Sequence, residues 1–141
     1  MKKAQMVCPP GWIDRSMTIM SAPGADQSGV AANMVVTRDR MPGDLPHSHP
    51  QRMHALLDRQ VLEMRRNMAE FRELWRKVDA EHPVAEIMVQ WRTPQAPVAQ
   101  WITFADLGRD DMMIATATAG RDTFGDHEAT FHRMMKSLVT G

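Results

Sequence analysis

Residues 84–105 read VAEIMVQWRTPQAPVAQWITFA, and this stretch is the clearest sign of how the chain folds. Two runs rich in β-branched and aromatic residues, 84–92 and 98–105, flank a short segment that contains Pro94 and Pro97. Such runs are typical of strands, and the short proline-containing segment between them predicts a hairpin. We therefore expect an antiparallel sheet at the centre of the fold.

The segments around this hairpin add further strands and two helices. Apolar residues at helical spacing predict a long helix over residues 50–69 and a C-terminal helix over residues 124–139. The order ββαββββα, with short connections among the later strands, predicts an α+β fold in which an antiparallel β-sheet packs with both helices. The length of 141 residues suits a single domain, 1–141. The remaining strands are expected at residues 16–20, 32–38, 71–79 and 112–118.

Charge and cysteine content narrow the classes of function. Lys+Arg and Asp+Glu number 17 each, so no basic field exists to hold nucleic acid. The lone Cys8 excludes an internal disulfide and fits a reducing compartment. Only four residues separate Lys3 from Cys8, too few for the roughly 7–15 apolar residues of an export signal. No run reaches the ~20 apolar residues of a membrane span. We expect a cytoplasmic protein without direct membrane insertion.

The histidines do not form a convincing catalytic or metal-binding cluster. His127 and His132 are five positions apart, about 140° around a helix, so they cannot share a metal on one face. His47, His49 and His54 would need their loop to fold back, and no carboxylate or cysteine is spaced to complete a site. We expect a non-catalytic protein without a metal or cofactor. A small metal-assisted enzyme built on the histidines is the less favoured alternative.

Methionine is unusually frequent, with 14 residues, and many of them fall on predicted strands and on one helix face. Thioether side chains are unbranched and polarizable, so a Met-rich surface can repack around varied apolar partners. Together with the lack of a catalytic cluster, this composition indicates a protein that binds an apolar partner.

Several short phrases occur in an order that resembles one protein family. The phrases are Trp12-Ile13-Asp14-Arg15-Ser16-Met17-Thr18-Ile19, Met34-Val35-Val36-Thr37-Arg38-Asp39 followed by Gly43-Asp44, Arg59-Gln60, Gln90-Trp91, Thr116-Ala117-Thr118 and Met135-Lys136-Ser137-Leu138-Val139. With these phrases, residues 12–139 resemble the Eag chaperones of type VI secretion, a branch of the DcrB-like, PsbP-related fold. The chain departs from that family in a shorter segment before Trp12 and in the additional stretch His47-Ser48-His49-Pro50.

The resemblance implies a chaperone or adaptor that binds a secreted toxic effector, often of the Rhs type, in the cytoplasm. It would shield the effector's hydrophobic N-terminal helices and aid loading onto the secretion spike. The family commonly works as a homodimer with an apolar groove. Gln100 and Ile102 share one face of a later strand and would continue this groove. The other groove positions map onto Met17, Ile19, Asn33, Val35, Thr37, Gln60, Met64 and Met68.

Each of these positions also has a purely structural interpretation. Met17, Ile19 and Val35 fit a sheet core, and Met64 and Met68 fit the buried stripe of a helix. Asn33, Thr37 and Gln60 would then be solvated or marginal side chains. A DcrB-like or PsbP-like interaction domain with a different partner is a further alternative.

Overall fold

The computed structural model describes residues 7–12 and 17–138, and it has the predicted element order ββαββββα. The predicted α+β fold is confirmed. Residues 13–16, which include the start of the predicted first strand, and Val139 at the end of the predicted last helix lie outside the described residues. The elements are β1 (Met17–Ser21), β2 (Asn33–Arg40), α1 (Gln51–Asn67), β3 (Ala69–Val78), β4 (Val84–Arg92), β5 (Pro97–Gly108), β6 (Asp111–Gly120) and α2 (Phe124–Ser137).

The six strands form one antiparallel sheet in the order β1-β2-β6-β5-β4-β3. The last strand in sequence, β6, therefore lies near the middle, between β2 and β5. It joins the N-terminal hairpin to the meander formed by the later strands. The two edges of the sheet are β1 and β3.

Helix α1 packs on one side of the sheet, over β3 and β4. Its buried stripe includes Leu56 and Leu57, which pack in one core with Ile87 of β4 and Phe104 of β5. The helix is shorter than predicted. It ends at Asn67, and the next residue, Met68, is an extended C-cap whose N–H donates to the carbonyl oxygen of Met64 at 2.8 Å. Met68 therefore lies just beyond the last helical residue and does not continue the helical stripe of α1.

Helix α2 packs on the opposite side of the sheet, over β6. Three consecutive β6 residues on this side are alanines, Ala115, Ala117 and Ala119, and all three are buried. Small side chains let a helix approach the sheet closely. The inner face of α2 packs in this second core through four apolar side chains: Phe131, Met134, Met135 and Leu138.

The connection between β1 and β2 is tied to the start of α2. A Cβ atom at Gly120 would lie 2.1 Å from Ser28 Oγ, so only glycine fits beside this connection. Asp26 accepts hydrogen bonds from Ser28, and its Oδ2 lies 3.0 Å from His127 Nε2. The pKa of the Asp26 carboxyl lies well below its ordinary value of 3.8. The largest cause is the contact with His127, and the hydrogen bonds from Ser28 lower the pKa further. These contacts fix the position of the β1–β2 hairpin relative to α2.

Candidate functional site

Helix α1 covers only half of its side of the sheet. In an antiparallel sheet, residues directly opposite each other on neighbouring strands point to the same side of the sheet, so their side chains form rows that cross the strands. One row runs from Ile19 on β1 through Val35, Thr116 and Ile102 to Ile87 on β4. The β4 end of each row lies under α1, whereas the β1 and β2 end does not. On β6, Met112 and Ile114 pack with the core beneath α1, but Thr116 and Thr118 lie outside that core. We call the α1-side residues of β1 and β2, together with Thr116 and Thr118 of β6, the open surface.

Exposure of apolar side chains rises along the row toward the sheet edge. Ile87 and Ile102 are 0% and 6% exposed, Val35 is half-buried, and Ile19 is 59% exposed. In the neighbouring row, Met17 is 60% exposed. Large apolar side chains on an uncharged edge strand favour association, since natural edges are usually protected by charge, proline or a bulge. The open surface is therefore apolar at its outer margin.

Polar side chains cross the same surface in the row that begins at Ser21. It continues through Asn33, Thr118 and Gln100, all half-buried. Gln100 accepts a 2.9 Å hydrogen bond from the indole N–H of Trp91 and donates one of 3.1 Å to Thr118 Oγ1. These bonds hold the Gln100 amide in one orientation. The open surface thus combines exposed apolar groups with fixed polar groups.

One flank of α1 forms the border of the open surface. On the other flank, Asp58 Oδ1 lies 2.6 Å from Arg76 Nη1, and the guanidinium carbon of Arg65 lies 5.3 Å from the ring centre of Phe71. Both partners belong to β3. At about 100° per residue, Gln60 lies on the flank away from β3. Its half-buried amide therefore borders the part of the sheet that the helix leaves uncovered.

The structure places the predicted binding residues on one side of the sheet, although at different depths. The five predicted residues of β1 and β2 lie on the open surface, and Gln60 and Gln100 lie at its border. Met64 and Ile102 are 7% and 6% exposed and belong to the core beneath α1, as the structural interpretation of Met64 expected. Met68 is half-buried at the helix end. The five residues are Met17, Ile19, Asn33, Val35 and Thr37.

The two β6 residues of the open surface were missing from the predicted set. Thr116 and Thr118 lie between β2 and β5, directly opposite Val35 and Asn33. The signal that could have found them is the alternation in residues 116–119, Thr-Ala-Thr-Ala. A strict period of two sends the alanines to the α2 side and the threonines to the open surface.

The described residues contain no grouping of three or more His, Cys, Asp or Glu side chains that could hold a metal ion. Within residues 7–12 and 17–138, neither helix is both long enough and apolar enough to span a bilayer.

Comparison with known sequences identifies the family. The sequence model of the DcrB family matches residues 4–137. The chain therefore belongs to the DcrB family. No curated protein matches the sequence.

Two solved structures have similar folds at low sequence identity. Protein PA94 from Pseudomonas aeruginosa, described as a protein of unknown function and a suggested regulator, has a TM-score of 0.80 at 22% identity. The match covers 98% of this chain and 92% of that one. The cyanobacterial PsbP protein (CyanoP) of Synechocystis sp. PCC 6803 has a TM-score of 0.48 at 10% identity, over 94% and 96% of the two chains. PA94 shares the fold described above.

Proposed function

We propose that this DcrB-family protein is a non-catalytic chaperone that binds the hydrophobic N-terminal helices of a type VI secretion effector, of the Rhs type or related to it. It shields them in the cytoplasm until the effector is loaded onto the secretion spike. The observation that carries the proposal is the open surface, where exposed Met17 and Ile19 lie beside the fixed polar row of Asn33, Thr118 and Gln100. The resemblance to the Eag chaperones supplies the class of partner.

The chemistry of the open surface suits a membrane helix held outside a membrane. Burial of an exposed large apolar side chain stabilises a complex by about 1.5–3 kcal/mol, so Met17 and Ile19 supply a driving force. Transmembrane helices also contact each other through small residues and interhelical hydrogen bonds. Asn33, Thr118 and Gln60 provide the matching donors and acceptors. An effector helix on this surface would satisfy both its apolar and its polar positions.

A homodimer would extend this surface, and we include it in the proposal. Strand β1 is an edge strand of five residues without a charge, and every residue in it is exposed. Its backbone can pair with β1 of a second copy in an antiparallel arrangement, which would remove the unpaired edge. Two open surfaces would then lie side by side and could accommodate more than one helix.

The experiment is co-expression with the tagged N-terminal region of a type VI effector, chosen from the genes that flank this one. We expect the effector region to remain soluble and to copurify with the chaperone. Met17→Asp and Ile19→Asp should each abolish copurification, because a carboxylate on the open surface cannot be desolvated by an apolar helix. Their melting temperatures should stay close to that of the wild type, since both side chains are exposed.

The matched control is Met20→Asp, which adds the same charge to the same strand. Met20 is 48% exposed and points to the α2 side. It should retain effector binding if the open surface is the binding site. Equal loss in all three variants would contradict a face-specific site, and an insoluble effector with the wild-type chaperone would contradict the proposed function itself.

A further inference from the structure

A second groove lies on the α2 side of the sheet, away from the open surface. Its volume is about 340 Å³, and it runs between α2 and the edge strand β3. The floor is one row of side chains, since Trp75 of β3 lies opposite Met88 of β4, which in turn lies opposite Trp101 of β5. Helix α2 covers β6, and exposure in this row rises toward the sheet edge: Trp101 and Met88 are 7% and 8% exposed, whereas Trp75 is 44% exposed.

A bulge in β3 forms the outer wall of the groove. The register shifts between Glu73 and Trp75, so the side that faces α1 changes from Phe71 and Glu73 before the bulge to Arg76 and Val78 after it. As a result, Trp75 turns to the α2 side and is 44% exposed. Bulges re-aim side chains and are over-represented beside functional sites.

The groove is aromatic along its floor. The ring of His132 on α2 lies 4.7 Å from the ring of Trp101, at an interplanar angle of 42°. Trp101 itself is only 7% exposed, and its indole N–H donates to no acceptor in the part of the chain that the structure describes. A buried donor without a partner is uncommon in folded proteins.

Charge in the groove is negative. Glu86 of β4 and Glu128 of α2 both line it, and no lysine or arginine does. Neither carboxylate makes a hydrogen bond or an ion pair with another described residue. The cross-strand neighbour of Glu86 is Lys77, but no ion pair joins the two. Two unpaired carboxylates beside two indole rings complement a cation.

We propose that this groove binds an arginine side chain of a partner polypeptide. A guanidinium group stacks on indole faces, is weakly hydrated and pairs with carboxylates through a fork of donors, whereas an ammonium group lacks the planar face. Glu86 and Glu128 would hold the charge against the exposed ring of Trp75, and Met88 would contact the methylene stem. This site is independent of the open surface, because it lies on the other side of the sheet.

The test uses the indole N–H signals of the full-length protein in ¹H–¹⁵N NMR spectra. The probe is the peptide N-acetyl-Leu-Arg-Leu-amide, and the matched peptide carries citrulline, a neutral isostere, in place of arginine. We expect the arginine peptide to shift the signals of Trp75 and Trp101 and the citrulline peptide to have a much weaker effect. Trp91 is the internal reference, because its N–H is bonded to Gln100 on the other side of the sheet.

Substitutions then separate the charge effect from nonspecific attraction. Glu86→Gln/Glu128→Gln should weaken binding of the arginine peptide by roughly tenfold. Glu70→Gln/Glu81→Gln removes the same charge from two exposed positions outside the groove and should leave binding unchanged. An unchanged Trp91 signal and far-UV circular dichroism spectrum will show that each variant is folded. Shifts of equal size with both peptides, no shift with either, or equal weakening by both double variants would each overturn the proposal.

Discussion

The indole N–H of Trp91 on β4 donates a 2.9 Å hydrogen bond to the side-chain oxygen of Gln100 on β5. The amide nitrogen of Gln100 donates a 3.1 Å hydrogen bond to Thr118 Oγ1 on β6. Side chains therefore link three strands at the border of the open surface. The bonds satisfy polar atoms that are half-buried, and they explain why a glutamine occupies a position next to the core. The link therefore has consequences for stability as well as for binding.

Gln100→Ala should lower the free energy of unfolding by about 1–3 kcal/mol, because it leaves the half-buried Trp91 N–H without its acceptor. Urea unfolding followed by circular dichroism measures the change. The loss should be smaller when Trp91→Phe is already present, since the donor is then absent. Gln95→Ala in the exposed β4–β5 turn is the control and should be neutral. An equal loss in the Trp91→Phe background would show that the hydrogen bond is not the cause.

The gradient of burial across the sheet predicts opposite outcomes for two isoleucines in one row. Ile102→Ala should cost about 2–5 kcal/mol of stability, because it opens a cavity beneath α1. Ile19→Ala should change stability by less than about 0.5 kcal/mol, because its side chain is 59% exposed. Chemical denaturation of both variants is the measurement. A large loss for Ile19→Ala would mean that the β1 residue is part of the core.

The β1–β2 connection lies so close to Gly120 that a side chain at this position would clash with it. Gly120→Ala would place Cβ 2.1 Å from Ser28 Oγ and 2.2 Å from Ser28 Cβ, so the connection must move, at a cost of about 1–3 kcal/mol. Ser28→Gly in the same chain should recover part of that stability. Gly125→Ala is the matched control, because nothing lies within 4 Å of its Cβ position and alanine is the better helix former. Gly125→Ala should be neutral or stabilising in thermal unfolding.

The Asp26–His127 contact predicts a dependence of stability on pH. Because the folded state holds the pKa of Asp26 well below 3.8, the contact stabilises the fold above about pH 4, and this contribution is lost as the pH falls through the lowered pKa. Asp26→Asn should therefore lower the melting temperature at neutral pH and reduce the further fall below about pH 4. The exposed Asp122→Asn variant should follow the wild-type curve. Parallel curves for Asp26→Asn and the wild type would contradict this assignment.

The strength of local patterns explains which parts of the fold the sequence predicts. The sequence predicts β2, β6 and α1 correctly because each of them buries a regular stripe of side chains, which appears as alternation in the two strands and as helical spacing in α1. Residues 71–79 alternate poorly for a physical reason: the bulge between Glu73 and Trp75 moves the inward side from odd to even positions. Strict alternation along residues 71–79 therefore does not predict that Trp75 faces the α2 side.

Neighbour relations between distant strands are not encoded in local periodicity. Alternation assigns Val35 and Thr37 to one side of β2, but it does not show that β6 lies beside them. Only the register pairs Val35 with Thr116 and thereby adds two threonines to the open surface. In the same way, periodicity predicts correctly which side of its helix or strand Met64 and Ile102 occupy, but it does not predict that both are buried between α1 and the sheet. Depth depends on where the helix lies across the sheet.

Two arginines of α1 pair with aspartates, Arg59 with Asp44 of the β2–α1 connection and Arg52 with Asp106 of β5, and burial should decide which pair contributes more. Arg59 makes the shorter contacts, with both nitrogens 2.6 Å from the carboxylate oxygens of Asp44, but its partner is 72% exposed. Arg52 Nε lies 3.0 Å from Asp106 Oδ2, and these side chains are 14% and 15% exposed. Exposed pairs are screened by water and salt, whereas loss of one member of a shielded pair leaves the other without solvation.

Asp106→Ala should therefore lower the free energy of unfolding by about 1–3 kcal/mol, because it leaves the Arg52 guanidinium shielded from water without its main acceptor. Asp44→Ala should change the melting temperature only slightly despite the shorter distances, and raising the salt concentration should remove that small difference. Thermal unfolding of both variants at low and high salt is the measurement. If Asp44→Ala proves the more destabilising of the two, contact distance and not solvent exclusion sets the strength of these pairs.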